Sequence, residues 1–82
     1  MDKWYNAKTE PPKENGKYLC VTQFSMHQSY DIYGWANRLR DVDKHDFKGI
    51  KRGGWYSYDG EYGFYEVDRV THWMPLPELP KD

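Results

Sequence analysis

The chain has 82 residues and a formal net charge of −1, which leaves room for one domain, residues 1–82, and not for two. Aliphatic residues are scarce, which alone would suggest disorder, but aromatic residues make up 18% of the chain, with four Trp and eight Tyr, and such rings bury large areas while keeping a polar tip wet. A single cysteine, Cys20, excludes an intrachain disulfide; no stretch approaches the roughly 20 apolar residues of a membrane span, and Met1–Pro12 has no apolar signal core, so a reduced, cytoplasmic location is expected.

Trp4 and Tyr5 open the chain, and Pro11-Pro12 cannot donate to a sheet, which makes this an extended or turning lead-in. Asn15-Gly16 signals a turn into the clearest strand, Lys17–Phe24. Its apolar groups fall on both faces: Leu19 and Val21 on one, Tyr18, Cys20 and Phe24 on the other. That pattern predicts a central strand covered on both sides. Ser25–Asp31 reads as a loop. Ile32–Leu39 is a second strand, with Tyr33, Trp35 and Leu39 on one face. Gly34 and Ala36 leave room on the other face for a closely packed ring, expected from the tail. Arg40–Gly54 is a charged, glycine-ended excursion with a short helical turn at Asp41–Phe47. Trp55–Tyr58 then forms one arm of a hairpin, Asp59-Gly60 its type I′ turn, and the second arm starts at Glu61, where Gly63 either weakens the arm or marks a bulge. Val70–Trp73 is a last short strand, ended by Pro75. The expected fold is mainly β: a compact antiparallel sheet of four to five strands, a meander or small open barrel, with at most a short helix.

The last residues, VTHWMPLPELP from Val70 to Pro80, are apolar and aromatic where termini are usually polar. Trp73 and Met74 bring two large groups to the sheet. Pro75, Pro77 and Pro80 stiffen the exit along a polyproline-like path, so Leu76 and Leu79 are expected to cap the end of the core. The rival reading is a proline-rich ligand, Pro77–Pro80, for a partner's groove. The same stretch resembles the C-terminal signature of DUF551, a family of small phage- and prophage-associated domains of unknown function. Trp4, Pro11-Pro12, GKYLCV from Gly16, Trp35 and GGW ending at Trp55 follow the rest of that pattern. The charged segment Asp41–Arg52 departs from it. By this resemblance Trp35, Trp55, His72, Trp73, Pro75 and Pro77 are structural signature residues. The family carries no established activity; the resemblance implies a phage or prophage accessory protein working in a bacterial cytoplasm.

Cys20, His27, His45 and His72 are the candidate metal ligands, and none pair at Cys-x₂-Cys or His-x₃₋₅-His spacing. Neither a metal nor a cofactor is expected. Cys20 lies among apolar strand residues and reads as a buried thiol rather than a nucleophile. His72 reads as a structural imidazole that hydrogen-bonds a carbonyl and packs on a ring. Asp59, Glu61, Glu66 and Asp68 gather near a hairpin tip with no adjacent nucleophile or oxyanion donor, and KRGGW lacks the strand–glycine–helix context of a phosphate loop. The pattern is that of a non-enzyme.

Two binding functions remain. Tyr and Trp are enriched at protein interfaces, and the leading expectation is a protein-binding module for a bacterial or phage protein. Its contact surface would be Tyr56, Tyr58, Tyr62 and Tyr65 with Asp59, Glu61, Glu66 and Asp68. The alternative is a single-stranded nucleic-acid binder. Tyr30, Tyr33, Trp35, Tyr56 and Tyr58 would supply its rings, and Arg38, Arg40, Lys48, Lys51 and Arg52 its charge. The near-neutral charge balance argues against that alternative. An exposed sheet edge can pair with a second copy, so monomer and homodimer both stay open.

Overall fold

The computed structural model describes residues 3–77, 79 and 80. The β-forming segments become six strands: β1 Tyr5–Asn6, β2 Gly16–Phe24, β3 His27–Ala36, β4 Gly54–Asp59, β5 Gly63–Val67 and β6 Val70–Pro75, with one 3₁₀ turn at Leu39–Asp41. They form one open antiparallel sheet in the order β1-β6-β2-β3-β4-β5. The fold is mainly β, as expected, with one strand more than the four to five expected. The extra strand is β1, which pairs with β6 through Tyr5↔Trp73 and Asn6↔His72; no local pattern reveals so distant a partner. β2 to β5 run as a meander, and β6 returns to the far side of β2.

That return is made by Asp68 and Arg69 alone. A trans chain spans at most about 3.6 Å per residue, so Val67 and Val70 lie within roughly 11 Å of each other. In a flat sheet, the interstrand steps from β5 to β6 would part them by at least about 19 Å. The sheet must therefore roll up. A bulge sharpens the bend: Thr22 pairs with Val70 but Val21 with His72, so Thr71 is an extra residue in β6. The bulge also breaks the alternation. Val70 joins Trp73 on the inner face, while His72 and Met74 face out.

Cys20, Trp55 and Trp73 form the buried centre of the inner face, surrounded by Tyr5, Tyr18, Tyr33, Trp35, Val67 and Val70. The rings touch in an unbroken series: Tyr5–Trp73 at 4.7 Å, Trp73–Tyr18 at 5.0 Å, Tyr18–Trp55 at 6.1 Å and Trp55–Trp35 at 5.1 Å. Most of these contacts are edge-to-face, the geometry that ring quadrupoles favour. Trp73 Nε1 donates to the Glu10 carbonyl at 2.7 Å, which ties the lead-in to the sheet. The Asn37 side chain accepts from Trp35 Nε1 at 2.8 Å and donates to the Lys13 carbonyl at 3.0 Å.

One end of the outer face is sealed by the charged excursion. Leu39 and Phe47 are buried there with Ala36, backed by Val42, Ile50, Tyr56 and Phe64. Several local expectations change as a result. β3 ends at Ala36, and Leu39 turns outward in the 3₁₀ turn instead of following Tyr33 and Trp35 inward. The helical turn is Leu39–Asp41, ahead of the expected Asp41–Phe47. The ring packed on Gly34 is Tyr56 of β4, not one from the tail, and it leaves no space for a Cβ.

Ser25–Asp31 is not a loop. Ser25 and Met26 alone turn β2 into β3, with Phe24 opposite His27. Ser25 adopts φ 56°, the positive φ that the first central residue of a type II′ turn requires. The second hairpin pairs Asp59 with Gly63, so its loop is Gly60–Tyr62 and its second arm begins at Gly63 rather than Glu61. Asp59 Oδ1 accepts the N–H groups of Glu61 and Tyr62 at 2.7 and 3.1 Å. Gly63 follows at φ 91°, which gives a three-residue loop with a glycine bulge in place of the type I′ turn. The core stops at Trp73: Leu76 is 36% exposed and Leu79 86%, so neither caps it. Glu78 of the Pro77–Pro80 segment lies outside the described residues.

Trp73→Ala and Phe47→Ala should each cost about 3–5 kcal/mol in urea unfolding, as buried aromatics do. Leu79→Ala should leave the midpoint unchanged.

Candidate functional site

Two rows of side chains cross the outer face at the end that the excursion does not reach. One runs Asn6, His72, Val21, Tyr30; the other runs Met74, Leu19, Ile32. Leu19 and Val21 belong to neither core. β2 is central, but its outer side chains are only half-buried, against the expectation of cover on both sides. Trp4 lays its ring across these rows and stacks on Tyr30, with centroids 6.1 Å apart and planes at 25°. Trp4, Val21, Gln28, Ser29, Tyr30 and His72 thereby line an open trough of about 380 Å³. Tyr30 is 73% exposed, Ile32 51% and Trp4 38%.

His72 has a different partner from the one expected. Its Nδ1 lies 3.1 Å from Thr71 Oγ1, and that hydroxyl donates to the Val21 carbonyl at 3.3 Å. With the hydroxyl proton committed there, Oγ1 accepts from Nδ1–H. Cys20 is fully buried. Its thiol is pushed up to about 12, chiefly by burial, with the Asp31 charge adding to the rise, so it stays protonated at neutral pH. Burial, together with the hydrogen bond to Asp31, likewise pushes the Tyr33 phenol up to about 12. Among the described residues, no group of three or more His, Cys, Asp or Glu could hold a metal ion.

The residues that the sequence groups as a contact surface do not form one patch. Tyr56 packs in the outer core over Gly34, and Asp59 caps its own turn. Glu66 binds Arg52 through both oxygens, at 2.5 and 2.8 Å. This pair ties the excursion to β5. Tyr58, Glu61, Tyr62, Tyr65 and Asp68 are exposed. The pairs Ser57↔Tyr65 and Tyr58↔Phe64 put Tyr65 and Tyr58 on opposite faces. The nucleic-acid set separates as well. Tyr33 and Trp35 turn into the inner core, while Arg38, Arg40, Lys48 and Lys51 lie in or just before the excursion and none lines the trough beside Tyr30. Trp4 and Ile32 escaped sequence reasoning as site residues. The one signal was the second apolar face of β2, Leu19 and Val21.

Residues 3–81 match a family described as "Protein of unknown function (DUF551)", and the chain belongs to that family. Neither a curated protein nor a solved structure matches it.

Cys20 and Tyr33 hold their protons more tightly in the folded chain than at the ordinary values of 9.0 and 10.0. The stability they contribute is complete below pH 9 and is lost as pH rises toward 12. Cys20→Ala should therefore soften the fall of the urea midpoint between pH 9 and 12. A fall as steep as the wild type's would show that the thiol is not buried.

Proposed function

We propose that this DUF551 protein is a small non-catalytic protein-binding module and that the open end of its outer sheet face is the contact surface. One observation carries the reading. Both sheet faces are apolar, and the outer one is sealed by Leu39 and Phe47 at one end while Trp4, Tyr30 and Ile32 stand in water at the other. Contiguous exposed apolar surface marks an interaction site. Trp and Tyr suit such a site because their rings bury area while their polar tips stay solvated. The trough lining offers His72 but no carboxylate to pair with it, which favours binding over acid–base chemistry. It includes no Lys or Arg either, which favours a protein over a nucleic acid, whose phosphates dominate affinity. The partner is a bacterial or phage protein, and the module acts as a phage or prophage accessory protein in the host cytoplasm, as the family resemblance implies.

The test is a pull-down from bacterial lysate, with and without nuclease, with three baits: wild type, Trp4→Ala/Tyr30→Ala, and Tyr62→Ala. The expected result is a protein that wild type and Tyr62→Ala retain and the double variant loses. Retention by the double variant overturns the reading, as does recovery of nucleic acid alone.

A further inference from the structure

β3 is paired on both sides over only part of its length. Its register with β2 runs from His27 to Trp35, but with β4 only from Gly34 to Ala36. The β4–β5 hairpin rolls away with the sheet and leaves the other edge of His27–Tyr33 unpaired. At about 3.3 Å per residue this edge is roughly 23 Å long. Alternate residues of an antiparallel strand direct their N–H and C=O toward opposite neighbours. The two-residue turn makes Phe24 and His27 a hydrogen-bonded pair, so Gln28, Tyr30 and Ile32 point away from β2. The Ile32 N–H agrees, because it donates to Asp31 Oδ1 at 2.9 Å. Gln28 and Tyr30 therefore present unused backbone groups at the rim of the trough that they help to line.

We infer that an extended segment of a partner protein adds to the sheet here as a seventh strand, pairing with Gln28 and Tyr30; this rests on the binding-module reading. The side chains of the added strand alternate. Those on the outer side fall beside Tyr30 and Ile32 and are apolar. Those on the inner side pass Asp31, opposite Cys20 in the register. The Asp31 carboxylate accepts only from neutral donors, the Ile32 N–H and the Tyr33 hydroxyl, and it joins no ion pair among the described residues. A Lys or Arg on the added strand supplies the missing positive charge. By occupying the Ile32 N–H, Asp31 also blocks pairing at that residue, as edge carboxylates do, and so fixes the register on Gln28 and Tyr30. A second copy of this chain would bring the same acidic edge without the cation.

The experiment is NMR titration of the ¹⁵N-labelled protein with acetylated Val-Lys-Val-Lys-Val-Lys-Val and with its Val-Glu counterpart, at low salt. Shifts and slowed exchange should centre on the Gln28 and Tyr30 amides. The Val-Glu peptide should bind roughly fivefold more weakly, the scale of an exposed charge pair. Gln28→Pro removes one outward N–H without touching the pairing with β2 and should abolish the response; Gln28→Ala keeps the N–H and should retain it. No response at Gln28 and Tyr30, or equal binding of the two peptides, overturns the inference. Shifts there that depend on protein concentration without peptide reassign the edge to a second copy and also overturn it. A lysate partner lost by Trp4→Ala/Tyr30→Ala but kept by Gln28→Pro removes strand addition alone and leaves the binding face standing.

Discussion

Asp68 and Arg69 are the whole connection between β5 and β6, which lie at opposite sides of the meander. A link that short is compatible only with a coiled sheet, and the coil decides what each face can do. On the inner side it brings Tyr18 of β2 against Trp55 of β4, two strands away. Large rings fill that space with few residues, which matters in a chain whose core is limited by its length. Trp73 completes the closure: it is stacked on Tyr5, set edge-on to Tyr18 and held by the Glu10 carbonyl.

The outer side of a rolled sheet is the larger side, and the chain has one segment to cover it. The segment 39–52 lies over β3, β4 and β5 and is fixed there at two points. Asp46 accepts the Phe64 N–H at 2.9 Å, and Arg52 grips Glu66. Among the described residues, the face over β6 and β2 has only the Trp4 ring across it. The free edge of β3 has the same origin, since the hairpin that would pair with it has rolled away. The open face, the trough and the edge are thus three consequences of one short link, and they adjoin one another at Tyr30.

Much of the fold was legible where the signal is local. The strand at Lys17–Phe24, the hairpin arm from Trp55, the bulge at Gly63 and the burial of Trp73 all follow from side-chain type and spacing. Features that depend on distant partners were hidden. β1 is a strand only because β6 lies beside it. Val70 faces inward only because Thr71 bulges. The turn at Ser25-Met26 carries no glycine to announce it, so its strand reads as a loop. Leu39 and Phe47 sit in a charged segment, and nothing nearby tells that their side chains are buried together. The hairpin residues scatter for a related reason. Tyrosines are dense in the second hairpin, yet there Tyr56 is core while Asp59 and Glu66 hold the backbone and a cation. The open face is assembled from four strands, and no window of sequence contains it.

A benzophenone side chain at position 30 reports directly on whether the open face meets a partner in living bacterial cells. The same group at position 58, on the second hairpin, is the comparison. Ultraviolet irradiation should give a discrete protein adduct from position 30 and none from position 58. Adducts from position 58 with none from position 30 would contradict the assignment and return the contact surface to the hairpin.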